Sequence, residues 1–288
     1  MISGVLLLDK PTGISSTDVV RQVRRQFNTG EVGHAGTLDP NASGVLLVCV
    51  GEATKVVPFL TTHDKRYTTE AVLGEERVTD DAEGEVIVTA PWEHVTEQAL
   101  RTALSTFEGT IQQAPPRVSA IKQGGRRLYE RVRAGEDVEA DLHLREVIAH
   151  SLTLTSFDPP RFALDMHVGK GFYVRSLVRD LGRAVGSAAH VVTLRRLSVG
   201  QFRVEDADPE RLLTIEQALA HLPLAQAGER GAWRLRNGQH VPLGEDVEVT
   251  VAAPLYRLHG PAGELLAVVA PDEEGVLHVV RGFRSDLR

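Results

Sequence analysis

The order of apolar and polar positions divides the chain into short buried strands and amphipathic helices. Gly4 to Lys10 is an apolar run closed by Pro11-Thr12-Gly13, as for a buried strand ending in a turn. Ser15 or Ser16 then caps a helix to about Phe27; Val19, Val20, Val23 and Phe27 form its apolar stripe, and Arg21, Arg24 and Arg25 lie off it. A glycine-rich loop from Gly30 to Gly44 leads into a strand from Val45 to Gly51. Lys65 to Leu73 reads as a strand, with Glu85 to Ala90 as its partner across an acidic loop. Thr96 to Phe107 carries Leu100, Ala103, Leu104 and Phe107 on one helical face. His150–Phe157 and Arg161–Val168 alternate as a hairpin about Asp158-Pro159-Pro160. A helix from Tyr173 to Val185, a strand from His190 to Val204, a break at Asp206-Ala207-Asp208-Pro209 and a short helix from Thr214 to Leu222 follow. From about Gly228 only short strands and turns are predicted, the profile of a small all-β module. The boundary falls between Leu222 and Trp233.

This pattern implies an α+β fold: a mixed, largely antiparallel sheet with flanking helices, followed by the small β module. With 288 residues, 42% hydrophobic and 25% charged, the chain has length enough for a sizeable core without a staple. Its only cysteine, Cys49, lies in an apolar run, so an internal disulfide is excluded and the thiol reads as a buried small residue. The opening run reaches a charge at Asp9, too early for a signal peptide or membrane span, and a cytoplasmic location is the expectation. The net charge of −7 argues against nucleic-acid binding by bulk attraction and shifts attention to local basic surfaces.

Three places carry candidate chemistry. In Gly33-His34-Ala35-Gly36-Thr37-Leu38-Asp39-Pro40, glycines free the backbone and Pro40 restricts Asp39 to extended geometry. The loop therefore fits either an Asx-type turn or the display of one acid at a strand edge. Lys65-Arg66-Tyr67 places an aromatic behind two cations, suited to stacking on a base or to the core. Gly169-Lys170-Gly171-Phe172-Tyr173-Val174-Arg175 opens a helix bearing Arg179 and Arg183. A third glycine is missing there and no Walker-type Gly-Lys-Ser/Thr exists, so a nucleotide-cofactor fold is unsupported; an arginine there can instead pair with a carboxylate. Cations also cluster. Arg117 to Arg133 holds Arg117, Lys122, Arg126, Arg127, Arg131 and Arg133 against Glu130, and Lys170 to Arg196 holds a second group against Asp180. Two basic stretches flanking an acid loop fit an RNA substrate as well as a solvated charged face.

Together these runs resemble the bacterial TruB family, the tRNA pseudouridine-55 synthases. The matching segments are Gly4 to Ser16, Gly33 to Lys55, Asp64-Lys65-Arg66-Tyr67, Ser119-Ala120-Ile121-Lys122, Lys170 to Arg175 and Leu194-Arg195-Arg196-Leu197. They occur in order over residues 3–222, and the C-terminal part resembles, more loosely, the PUA RNA-binding domain. The resemblance implies a catalytic domain over 1–225 with a basic thumb at about 108–146, and a PUA-like domain over 226–288. It implies Asp39 as catalytic carboxylate, Tyr67 as base-stacking tyrosine and Arg175 as the aspartate's partner. His34, Tyr173 and Leu194 would adjoin the flipped nucleotides, Lys122, Arg126 and Arg127 would contact RNA, and Lys10 would be structural. No cofactor or metal is implied, because the isomerisation neither oxidises nor hydrolyses. The expected partner is the T-arm of tRNA, without an additional protein. The alternatives are a catalytically silent tRNA-binding module and a guide-RNA-dependent relative; the short lead-in before Gly4 and the chain's own thumb favour the stand-alone type. Val118 departs from the family's usual tyrosine, and the acidic loop Val78 to Gly84 from its usual Thr-Asp-Thr pattern, with neither change expected to touch the chemistry.

Overall fold

The computed structural model describes residues 2–117 and 144–283 and, by backbone pairing alone, 122–123 and 126–127. The chain opens with β1 (Gly4–Lys10), α1 (Ser16–Gln26), β2 (Val32–His34) and β3 (Ala42–Val50). A 3-10 segment, Gly51–Val56, runs into α2 (Val57–Thr61). Next come β4 (Lys65–Leu73), β5 (Glu75–Arg77), β6 (Val86–Thr89), α3 (Glu97–Ser105) and β7 (Gly109–Gln113). The short strands β8 (Lys122–Gln123) and β9 (Arg126–Arg127) pair with each other. The domain continues through β10 (Arg145–Asp158), β11 (Arg161–Val168), α4 (Val174–Ala184), β12 (Ala189–Val199), β13 (Phe202–Arg203), β14 (Asp208–Leu213) and α5 (Ile215–Ala218).

Ten of these strands form one sheet in the order β14-β1-β3-β12-β4-β11-β10-β7, with β2 beside β3 and β13 beside β12. Its described pairings are antiparallel except the short parallel register Leu194↔Ala42, Arg195↔Ser43 and Arg196↔Gly44. The sheet is thus mixed and largely antiparallel. Residues Val45 to Val50 are wholly buried because both faces of the strand are covered. On one face Leu46, Val48 and Val50 meet Val19, Val20 and Val23 of α1, whose start is fixed by a Ser15–Asp18 capping box. On the other, Val45, Leu47 and Cys49 pack with Ala218, Leu219 and Val268. Burial pushes the Cys49 thiol up to about 12, consistent with an inert packed residue.

Several sequence expectations are corrected. Residues 85–90 do not pair with β4, whose two edges are taken by β11 and β12. Gly74, at φ +101°, ends β4 and turns the chain into β5, and β6 pairs there instead. The loop before β3 is shorter than the glycines imply, since β2 forms within it and β3 begins at Ala42. The strand expected to reach Val204 stops at Val199, and Gly200 (φ +52°) turns it into β13. The break at Asp208-Pro209 is in fact an edge strand on β1, where the missing proline N–H is tolerated.

The C-terminal region contains β15 (Leu224–Ala227), α6 (Glu229–Arg236), β16 (Val241–Pro242), β17 (Val247–Val249), β18 (Tyr256–His259), β19 (Leu265–Pro271) and β20 (Val276–Gly282). Six strands make a barrel-like sheet in the order β16-β20-β19-β18-β15-β17. The helix α6 is absent from the strands-and-turns expectation. Gly228 at its N-cap offers no side chain, and Asp246, eighteen residues on, accepts from Gly231 N at 2.6 Å instead. No helix among the described residues is long and apolar enough to cross a membrane. The ends of the expected thumb are strands of the main sheet, β7 and the start of β10 in register Arg145↔Gln113 to Ala149↔Gly109.

Gly44 marks the closest approach in the sheet. It sits at φ +105°, and a Cβ there would lie 2.1 Å from Arg196 O. Gly44→Ala should therefore cost about 2–4 kcal/mol, from backbone strain and overpacking together. Gly13→Ala, strained at φ +86° but with nothing within 4 Å, should cost only about 1 kcal/mol. Urea denaturation of both variants gives the comparison, and equal losses would rule out the steric account.

Candidate active site

The Asp39 loop is held from beneath by side chains that satisfy its inward-facing carbonyls. Lys10, 1% exposed, donates through Nζ to Pro11 O (2.8 Å), Ile14 O (2.7 Å) and Pro40 O (3.1 Å). Burial pushes its ammonium pKa down, Asp39 acting in the opposite direction. Ser16 Oγ accepts from Leu38 N and donates to Leu38 O, both at 2.9 Å. Arg196, also 1% exposed, donates through Nε to Val45 O at 2.7 Å and through Nη2 to Gly36 O at 3.1 Å. Gly13 N completes the cradle by donating to Pro40 O at 2.9 Å.

Held this way, Asp39 turns its half-buried carboxylate toward α4. Arg175 Nε lies 2.9 Å from Asp39 Oδ2. The arginine is itself nearly buried and is fixed from behind: Nη1 donates to Thr79 O at 2.6 Å and lies 3.5 Å from Asp81 Oδ2. The acidic loop, expected not to bear on the chemistry, thus positions the arginine that faces Asp39. Arg175, Arg179 and Arg183 recur every four residues and form one ladder along α4. Arg179 Nη1 donates to Asp80 Oδ2 at 3.0 Å and its Nε to Asp180 Oδ1 at 2.8 Å, while Arg183 pairs with the buried Glu76. Arg195 pairs with Asp9 at 2.7 Å. Of the cations between Lys170 and Arg196, these arginines are engaged within the protein, Arg183 and Arg195 with part of their side chains still exposed; Lys170 is exposed.

Beside the ion pair opens a cavity of about 360 Å³, lined among others by Asp39, Tyr67, Tyr173, Arg175, Leu194 and Arg196. Its size suits a small ligand or a single base. Tyr67 alternates inward on β4 and packs within the main core cluster. Leu194 comes from β12 at its parallel contact with Ala42. Tyr173 precedes α4, and Gln113 clamps its backbone from both sides, accepting from Tyr173 N at 2.8 Å and donating to Tyr173 O at 3.0 Å. Lys65, another lining residue, is not a surface cation: it is buried and donates to Thr61 O and His63 O. That burial, with Arg196 nearby, pushes its pKa down to about 8.

His34 ends β2 and is not among the cavity's lining residues. Burial and then Arg196 push its imidazole pKa down, and its Nδ1 is buried with no hydrogen-bond partner among the described residues. Lys122, Arg126 and Arg127 lie on the β8–β9 pair, Lys122 opposite Arg127, and their side chains lie outside the described residues, as does Val118. Sequence reasoning missed Ser16, Thr79, Asp81, Gln113 and Arg196 as supports. Arg196 alone left a trace, since Leu194-Arg195-Arg196-Leu197 breaks the alternation expected of a strand with one wet face.

Comparison with known proteins bears directly on this site. A family model for "TruB family pseudouridylate synthase (N terminal domain)" matches residues 24–174, and one for "tRNA pseudouridylate synthase B C-terminal domain" matches 175–235. The chain belongs to the TruB family. Among its relatives, the tRNA pseudouridine synthase B of a Ruegeria species is 43% identical over 99% of this chain and 97% of its own. That of Thermobifida fusca is 41% identical over 93% and 94%, and that of Xanthomonas campestris 45% over 95% and 88%. The fold is shared with a chain of an H/ACA RNP bound to a substrate RNA containing 2′-deoxyuridine (TM-score 0.72, 22% identity, 99% of this chain and 86% of that one). It is shared equally with a chain of a Cbf5-Nop10-Gar1 complex (TM-score 0.72, 24% identity, 98% and 84%).

The Asp80–Arg179 pair behind this TruB-family site yields a pH test. Burial outweighs Arg179 and Arg175 and pushes the Asp80 carboxyl up to about 6. The folded value lies above the ~3.9 of an unfolded aspartate. Its contribution to stability is therefore full below about pH 4 and lost as pH rises through about 6. Asp80→Asn cannot ionise, so its unfolding free energy should gain on the parent's by about 2–3 kcal/mol between about pH 4 and pH 8. A difference that stays flat across urea titrations would show that Asp80 is ionised throughout.

Proposed function

We propose that this chain is a tRNA pseudouridine synthase that isomerises the T-loop uridine at position 55 to pseudouridine, with Asp39 as its essential carboxylate. The observation that carries the reading is the Asp39–Arg175 pair opening onto a cavity walled by Tyr67 and Leu194. Membership of the TruB family and full-length relatives named tRNA pseudouridine synthase B supply the substrate class. The reaction breaks the bond from N1 of uracil to the sugar, rotates the base, joins C5 to the same sugar carbon and transfers the C5 proton to N1. It is an intramolecular transfer with no net oxidation, so the chain's own side chains meet its demands.

A uridine in a folded T-loop must first leave its stack, at a cost of about a few kcal/mol. The cavity then encloses the flipped base, Tyr67 stacking on one face and Leu194 packing beside it. Arg175 supplies the counter-charge to Asp39 and fixes the direction of its carboxylate. Attack on the sugar, attack on the base and formation of a glycal all require the carboxylate in this place. The Tyr67 phenol helps move the proton released from C5 or C2′ in this reading. The C-terminal sheet and the thumb bind the tRNA by shape and phosphate contacts. The protein acts alone, in the cytoplasm, without guide RNA.

Asp39→Asn should lower the rate of pseudouridine formation by at least about 1,000-fold, with tRNA affinity nearly unchanged. Retained turnover would sink the assignment. Tyr67→Phe should slow the reaction ~100-fold or more if the phenol moves a proton; a parental rate would leave Tyr67 as a stacking surface alone. Both rates are read on an isolated T-arm stem-loop with the purified protein, which also separates a stand-alone enzyme from a guided one.

A further inference from the structure

Away from the cavity, three metal-binding side chains converge where β10, β11 and the turn before β4 meet. His150 Nε2 lies 3.0 Å and His167 Nε2 3.8 Å from the same oxygen, Asp64 Oδ2. The three donor atoms all lie within 4.8 Å of one another. The topology explains the meeting. The β10–β11 register passes from Ala149↔Val168 to Ser151↔His167, leaving His150 as the extra residue of a β-bulge. A bulge re-aims its side chain, and here the His150 ring comes to 4.7 Å from that of His167, centre to centre. Asp64 is held by its own backbone, its carbonyl accepting from Gly200 N at 2.8 Å.

The separations suit an ion. Tetrahedral bonds of about 2.0–2.1 Å place neighbouring donors about 3.3–3.4 Å apart, and the two distances to Asp64 Oδ2, 3.0 and 3.8 Å, bracket that value. Two imidazole nitrogens beside one carboxylate oxygen are also the donor set that a divalent transition metal takes. Two imidazoles and one carboxylate select a borderline metal over magnesium or calcium, which prefer an all-oxygen shell. The side chains are 36%, 36% and 45% exposed, so an ion reaches them from solvent.

We propose that Asp64, His150 and His167 form a surface site for a divalent transition-metal ion of the zinc class, its fourth position taken by water. The site is separate from the isomerisation, which has no use for it. The test is a calorimetric titration of the untagged, chelator-treated full chain with zinc chloride. Wild type should bind one equivalent at micromolar affinity or tighter, and zinc should raise its melting temperature. Asp64→Asn should weaken binding tenfold or more, and a His150→Gln, His167→Gln double variant should lose both the binding and the thermal shift. Absence of binding to wild type overturns the proposal, as does unchanged affinity in the double variant, which would place the ion elsewhere. Should the double variant fail to fold, the near-isosteric Asp64→Asn decides alone: parental affinity there overturns the site.

Discussion

The constraint on which the site depends is that a loop carrying its backbone into the protein interior must find partners for its carbonyls. The turn Gly36 to Pro40 does this, and an unpaired buried carbonyl would cost about 1–3 kcal/mol. Lys10, Ser16 and Arg196 answer it from three different parts of the chain. Because two of the three are cations buried to 1% exposure, the carbonyls and the charges need each other. Neither can leave without stranding its partner. Rigidity in this loop is what lets one carboxylate at its tip keep a fixed direction.

The same economy governs the other half of the site. Helix α4 presents an arginine every four residues, and β5 with the loop after it presents Glu76, Thr79, Asp80 and Asp81 to meet them. Arg175 is the last rung, shared between that loop and Asp39. A ladder of this kind transmits position: the loop sets the arginine, and the arginine sets the carboxylate. It also shows how a chain of net charge −7 buries Arg175 and Arg179 against its own carboxylates. Among the described residues, Arg66, Lys170 and Arg183 are exposed.

The C-terminal sheet shares an apolar cluster with the ten-stranded sheet. Val268 and the edges of Leu265 and Val280 join the core under β1 and β3. Glu216 of α5 accepts from Arg257 at 2.6 Å and lies 2.8 Å from His259 Nε2, and Lys55 donates to Gly282 O at 3.0 Å. These polar contacts rim an apolar seam and fix the sheet against the domain that holds the cavity.

The sequence by itself determined the strands and helices with a clean period, the α+β class, the inert Cys49 and the segments bearing Asp39, Tyr67 and Arg175. Those follow from local rules: side-chain periodicity, capping residues such as Ser15 and Thr96, and glycine or proline where the backbone must turn. Tertiary structure decided what depends on a distant partner. It took β6 from β4 to β5, since β4 had no free edge, and made a strand of Asp208–Leu213 because β1 offered one. It capped α6 with Asp246, and it turned Arg175 and Arg179 of α4 inward. A cation's sequence neighbours do not say whether it faces water or a buried carboxylate; only the packing that brings residues 75–81 against 175–183 does. For that reason Asp39 was legible as a candidate in one dimension, while the reason it holds its place is three-dimensional.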